Sequence, residues 1–245
     1  MDLAEKTSNK NRPPWELSRA WCILNIVKKY NLSSAADIGA GDRFFTSKLR
    51  SFIPGIICAV DAGYSEKSKI ADNFFCFNDI SELPKLSLNG GIILMDVLEH
   101  IQDDSLFLKK SLEKIQVGGL VFITVPAFQF LFSGHDIFLK HHRRYNKKQL
   151  LALIRSQNLC VEKSHYFYAS LFFVRLAGLL FKRNPLKPSG IGNWGFGEKH
   201  IITGLISVIL IIDFSICAFF ARFHVYLPGL SLFAVCRKNA EPVVV

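Results

Sequence analysis

Five short apolar runs, at residues 34–38, 55–60, 74–77, 91–95 and 120–125, alternate in the first half of the chain with segments that fit helices or short turns. Runs this short and this uniformly apolar suit strands buried on both faces, so the alternation predicts an open, largely parallel sheet with crossover helices. Ligands of such a sheet sit beyond the carboxyl ends of its strands. Ahead of the first run, Leu17, Trp21, Leu24, Val27 and Tyr30 recur at helical spacing, which predicts a helix over 15–30 with these residues on its apolar face. Phe44 to Leu49 fits the first turns of a second helix, and Ser105 through Ile115 a crossover helix that Gly118-Gly119 ends. Residues 1–12 are polar and charged, and Pro13-Pro14 stops a helix from running through them. The chain therefore divides into a loose leader, 1–14, and one domain, 15–245.

The turn after the first run carries candidate chemistry. Asp37-Ile38-Gly39-Ala40-Gly41-Asp42 closes it, and Asp61 follows Gly41 by 20 positions at the end of the second run. A ligand approaches a backbone closely where side chains are absent, which Gly39 and Gly41 provide. The Asp61 carboxylate is placed to accept from both hydroxyls of a ribose. A dinucleotide fingerprint needs a third glycine where Phe44 stands, and Asp37 would repel a pyrophosphate while suiting an amino group. S-adenosylmethionine fits better than NAD. Taken singly, each acid also reads as a helix cap or a loop residue; their order and spacing make the combination specific.

These residues, together with Asp79-Ile80 and the run Met95-Asp96-Val97-Leu98-Glu99-His100, resemble the class I S-adenosylmethionine-dependent methyltransferases. The resemblance implies a Rossmann-like α/β fold: a mostly parallel sheet with helices on both faces and an antiparallel last strand, here 230–238. It implies that Asp37, Gly39, Ala40 and Gly41 hold the methionine part and Asp61 the ribose. Asp79 would accept from the adenine amino group, with Ile80 on its ring and Met95 nearby. The family often has a further glycine at position 43, where this chain has Arg43. Trp15 and Arg19 are similar to an aromatic-basic signature that precedes the cofactor domain in some relatives; a packing Trp beside a solvated Arg fits them equally well.

After the fifth run comes a dense polar segment. Val125-Pro126-Ala127, Ser133-Gly134-His135-Asp136 and His141-His142-Arg143-Arg144-Tyr145 are similar to a subset of that family, a more specific match than the glycine turn. Much of the catalysis of methyl transfer can come from alignment, and a hydroxyl acceptor also needs a base near neutral pH. His135 or His141 suits that base, with Asp136 as its orienting partner. Arg143 and Arg144, with Tyr145, suit an anionic acceptor group. Other uses fit the same residues: a solvated basic face, a lid over the cofactor, or a metal set, although two histidines and an acid without a periodic frame make a weak one, and no metal is expected.

Composition sharpens the picture in two places. At 245 residues, 50% hydrophobic and 20% charged, the chain can bury a full core, and six cysteines without CxxC spacing read as free thiols in a reducing compartment. The net charge of +10 is concentrated: residues 137–200 hold 12 Lys and Arg against Glu162 and Glu198, while the rest balances. A nucleic acid or an anionic membrane surface would answer such a region. Ser170 to Arg183 is an apolar, aromatic stretch ending in basic residues, and 201–221 is apolar but for Asp213, so a membrane surface is favoured over nucleic acid. The second stretch is long enough to span a bilayer. A span, however, would separate strand 230–238 from its sheet, so an apolar helical insertion, 170–222, docked on a membrane or against the sheet is expected.

Together these features predict a cytoplasmic enzyme, peripheral on the inner face of the membrane, that methylates a small acceptor at oxygen. The acceptor would be lipid-linked or saccharide-containing. A non-catalytic S-adenosylmethionine-binding or membrane-scaffold protein on the same fold is the alternative. Nothing in the residues bears on oligomeric state.

Overall fold

In the computed structural model the described residues are 11–181 and 194–240. They form one eight-stranded sheet in the order β3-β4-β2-β1-β5-β6-β8-β7. The strands are β1 (Ser34–Ile38), β2 (Ile57–Val60), β3 (Ser68–Ala71), β4 (Phe74–Phe77), β5 (Gly90–Met95), β6 (Leu120–Pro126), β7 (Leu159–Phe167) and β8 (Ser231–Lys238). From β4 through β2, β1 and β5 to β6 every pairing is parallel. β3 pairs antiparallel at one edge, and β8 runs antiparallel between β6 and β7. Every residue of β1, β2 and β6 is buried, as expected of strands covered on both faces. Two apolar clusters, one on each side of the sheet, are set apart by the alternation of residues along the strands: Ala36, Ile92 and Ile123 belong to one, Ala35, Ile93 and Phe122 to the other.

The helices are α1 (Pro14–Lys28), α2 (Phe44–Leu49), α3 (Asp104–Leu112), α4 (Gly134–Phe138), α5 (Lys147–Ser156), α6 (Ala169–Phe181) and α7 (Ile201–Ala221). α1 starts where the proline pair dictates, with Pro13 at the N-cap and Pro14 at the first helical position. Its buried side is Ser18, Ala20, Ile23, Leu24 and Val27, while Trp21 is 52% exposed, contrary to the face expected from the spacing. Ala20, Ile23, Leu24 and Val27 set the packed side, which turns Trp21 outward. The leader's first ten residues lie outside the described residues. Arg12 bonds Glu16 and Asp42.

α6 and α7 lie in the chain between β7 and β8 and are its apolar helices there. α7 packs on α1 and β7 through Thr203, Leu210, Phe214 and Cys217. Its single charge has a structural use: Asp213 accepts from the Ala169 and Ser170 N–H groups at 2.9 and 2.7 Å, capping the start of α6. β8 returns to pair with β6 and β7, so both ends of α7 belong to the same sheet-based body.

Candidate active site

The carboxyl ends of β1, β2, β4, β5 and β6 open on a cavity of about 1170 Å³. Its lining takes Ile38 and Gly39 after β1, Asp61 after β2, Asn78 to Ser81 after β4, Met95 to Val97 after β5, and Pro126 at the end of β6. Gly39 is required twice over. Its φ is +77°, and a Cβ there would stand 2.5 Å from the Val97 methyl carbon Cγ2. The Gly41 N–H donates to Asp61 Oδ2 at 2.7 Å, and Gly63 N–H donates to Oδ1 at 2.9 Å. The turn and the second acid, 20 positions apart, are thus one structure. Ala40 is buried and donates its N–H to the Val60 carbonyl at 3.0 Å. Arg43 has φ +66°, the left-handed conformation that glycine adopts at little cost, which gives a physical reason for glycine at that position in the family.

The other nucleoside-side candidates lie as follows. Ile80 is half-buried in the lining, and Met95 lines the cavity at the end of β5. Asp79 is exposed and caps a 3₁₀ turn, accepting from Ser81 N–H at 2.7 Å; hydrogen bonding to Ser81 holds its carboxyl below the usual range. Asp37 is buried outside the lining, with the Thr46 hydroxyl donating to it at 2.5 Å. Burial pushes its carboxyl up to about 6 against that hydrogen bond. At the place in the lining where an acid faces the cavity next to β5 stands Asp96, with φ +54°. It pairs with Arg19 and accepts from Thr124 Oγ1 at 2.8 Å. A left-handed non-glycine residue at a strand end costs about 1–3 kcal/mol and is the kind of strain found at ligand sites. α1 brings Trp15 and Arg19 into the same lining, and Trp15 meets Trp194 edge-on.

A second wall is built by the polar segment after β6. Ser133 and Asp136 form a capping box that starts the short helix α4. Asp136, fully buried, is the hub: it accepts from Ser133 N–H at 2.9 Å, from Arg144 Nε at 2.7 Å and from His141 Nδ1 at 3.0 Å, with Arg175 of α6 at 3.5 Å. Burial alone would raise its carboxyl, but the His141 hydrogen bond and the Arg144 guanidinium outweigh it and hold the group well below the usual range. Asp136 therefore orients His141 rather than His135. Both histidines and Arg144 line the cavity. Burial, with Arg175 adding to it, pushes His135 down to about 4, so this ring is neutral at pH 7. Arg143 is outside the lining, paired with Asp104 at 2.9 Å, and Tyr145 is buried outside it, donating to Asp104 at 2.6 Å. Much of the charge in the basic segment near the cavity is thus spent on internal pairs.

Glu99 is a site residue that sequence reasoning quotes but does not single out. A 3₁₀ turn, Leu98–His100, rolls it inward; it is 0% exposed, lines the cavity, and neither carboxyl oxygen has a hydrogen-bond partner among the described residues. Burial raises its carboxyl to about 8. Next to it, the rings of His100 and His141 meet edge-on with centroids 4.6 Å apart.

Neither a protein-family model nor a curated protein matches the chain. Solved structures do. An S-adenosylmethionine-dependent methyltransferase from Archaeoglobus fulgidus is similar over 91% of this chain and 94% of its own, with a TM-score of 0.53 at 15% identity. The fold is that of the class I methyltransferases. The 1,6-didemethyltoxoflavin-N1-methyltransferase of Burkholderia thailandensis shares this methyltransferase fold over 91% of this chain and 77% of its own, with a TM-score of 0.52 at 13% identity. So does the [4+2]-cyclase SpnF, over 89% and 80%, with a TM-score of 0.51 at 13% identity. The methyltransferase fold therefore carries more than one chemistry, and the reaction has to be argued from the site.

Proposed function

We propose that the chain is an S-adenosylmethionine-dependent methyltransferase acting at an oxygen atom of a lipid-linked or saccharide-containing acceptor. The observation that carries the cofactor is the glycine turn hydrogen-bonded to the Asp61 carboxylate at the strands' carboxyl ends. The residues present fit that group. Gly39 brings backbone without a side chain to the cavity lining, Asp61 lines the cavity as a ribose acceptor, and Ile80 and Met95 supply apolar surface for a base. When bound, S-adenosylmethionine supplies an electrophilic methyl group on a sulfonium sulfur.

The chain's own residues do the rest. Trp15, Arg19 and α6 narrow the cavity around the acceptor. His135, neutral at pH 7, accepts a hydrogen bond from the acceptor hydroxyl and takes its proton only as the new C–O bond forms, since a ring pushed down to about 4 is too weak a base to ionise the free hydroxyl. Asp136 fixes the ring of His141 and the guanidinium of Arg144 beside it. Arg175, its side chain 19% exposed and 3.5 Å from Asp136, lines the cavity as the cation nearest an anionic acceptor group.

The lipid-linked part of the reading rests on α6 and α7. Leu171, Val174 and Leu179 of α6 line the cavity, and Val174 is also 68% exposed, so one helix serves both the mouth and the outer surface. Along α7, Ile201, Leu205, Val208, Ile209, Ile212, Ile216 and Phe219 are exposed, with Lys199, Arg222 and His224 flanking the helix. An apolar face with basic ends suits an anionic membrane surface on which the helix lies in the plane. Pairing of β8 with β6 and β7 supports lying on that surface over crossing it.

The test is transfer of labelled methyl from S-adenosylmethionine to a membrane extract. We expect label in the organic phase with the wild-type protein and its loss in His135→Gln with cofactor binding intact. Cofactor binding without label in any fraction would instead assign the chain to the non-catalytic alternative.

A further inference from the structure

Within the cavity lining, Glu99, His100 and His141 each offer one ligand atom, and these atoms lie within 4.8 Å of one another. Glu99 supplies the independent sign of a ligand. Among the described residues its two buried oxygens have no hydrogen-bond partner, a situation that costs about 1–3 kcal/mol or more per group unless a ligand satisfies them. His141 is already oriented for coordination. Its Nδ1 stands 3.0 Å from Asp136 Oδ1, and a carboxylate only accepts, so Nδ1 carries the hydrogen and Nε2 the lone pair. A carboxylate behind the ring is how metal-binding imidazoles are held. The two nearby cations do not oppose a metal as bare charges: Arg144 is paired with Asp136, and Arg19 with Asp96.

We propose that Glu99, His100 and His141 bind a divalent first-row cation whose remaining coordination positions face the cavity. Two imidazoles and one carboxylate suit zinc, cobalt, manganese or iron(II), and three protein ligands leave at least one position open. Ligand atoms about 2.0–2.2 Å from an ion stand roughly 3.3 Å apart in a tetrahedral set, so binding draws the three side chains together. The open positions take oxygen from the acceptor, which selects an acceptor whose reacting hydroxyl has a second oxygen next to it, as in the vicinal diol of a sugar or a hydroxy acid. This last step rests on the methyl-transfer reading; ion binding does not.

The experiment uses the full chain, treated with a chelator and then titrated with Co²⁺, whose visible d–d absorption reports its ligands. The expected result is saturation at one equivalent, with affinity weakened by about 100-fold or more in Glu99→Gln and in His100→Asn, beyond what loss of an outer-shell partner costs. His100 is half-exposed, so its variant reports even where Glu99→Gln fails to fold. No saturable absorption, or equal affinity in His100→Asn, overturns the proposal. Calorimetry with S-adenosylmethionine on the same wild-type sample separates the two readings. Cofactor binding without cobalt uptake removes the ion alone, and cobalt uptake without cofactor binding upholds the ion and removes the methyl-transfer reading.

Discussion

Replacing Asp136 by Asn keeps the shape of the side chain and an acceptor for the Ser133 N–H, but removes the charge facing Arg144, His141 and Arg175. The Arg144 side chain is 5% exposed and Asp136 is fully buried, so the guanidinium is left in a low-dielectric setting with the Ala127 carbonyl at 3.2 Å. Breaking a buried pair from one side costs about 3–5 kcal/mol. With a urea m-value near about 3 kcal/mol/M, the upper end for small proteins, the unfolding midpoint falls by about 1–1.7 M. Arg144→Met in the same chain removes the stranded charge, so the double variant costs less than the sum of the singles, by about 2 kcal/mol. Urea unfolding of the four proteins of the cycle measures both numbers. A single-variant cost below about 1 kcal/mol, or additive effects, would refute the hub assigned to Asp136.

Three further outcomes follow from other parts of the structure. Gly39→Ala combines a left-handed backbone, about 1–2 kcal/mol, with a methyl driven into Val97, about 1–3 kcal/mol; Val97→Ala in the same chain should return only the second part, as read by thermal unfolding. Asp37 has a folded value of about 6 against an unfolded value of 3.8, so its stabilising contribution is complete below the lower value and is lost as pH rises through the upper. The stability of Asp37→Asn relative to wild type should therefore climb by about 2 kcal/mol from pH 4 to 7, and a flat difference would show that the carboxyl is not held in its acid form. Leu205→Glu with Ile209→Glu, both on the exposed side of α7, should abolish flotation with anionic liposomes without moving the unfolding midpoint; undiminished flotation would remove the membrane from the reading.

The parallel centre of the sheet was legible because its strands are buried on both faces and read as unbroken apolar runs, as in Ala35-Ala36 and Ile92-Ile93-Leu94. Its edges were not. β3 is Ser68-Lys69-Ile70-Ala71 with no buried residue, and β7 carries Glu162-Lys163-Ser164 through its middle, so neither has the apolar signature of a central strand. α5 has a legible start, a capping box of Asn146 and Gln149 ahead of Leu150 and Ile154, but only a short apolar stripe to carry the pattern on. In the site, the bond between the Gly41 N–H and Asp61 gives the 20-residue spacing a physical basis. The inward turn of Glu99 and the pairing of Arg19 with Asp96 depend on contacts between distant elements, to which a single sequence gives no periodic signal.

The central claim is that the cavity at the strands' carboxyl ends is a site for S-adenosylmethionine, gripped at its ribose by Asp61. Titration calorimetry of wild type and Asp61→Ala tests it directly. The account predicts one equivalent bound by wild type and affinity lowered by about 10-fold or more in the variant, matching the loss of a charge-assisted hydrogen bond worth about 1.5–3 kcal/mol. No heat of binding in wild type, or equal affinity in a folded Asp61→Ala, would contradict it.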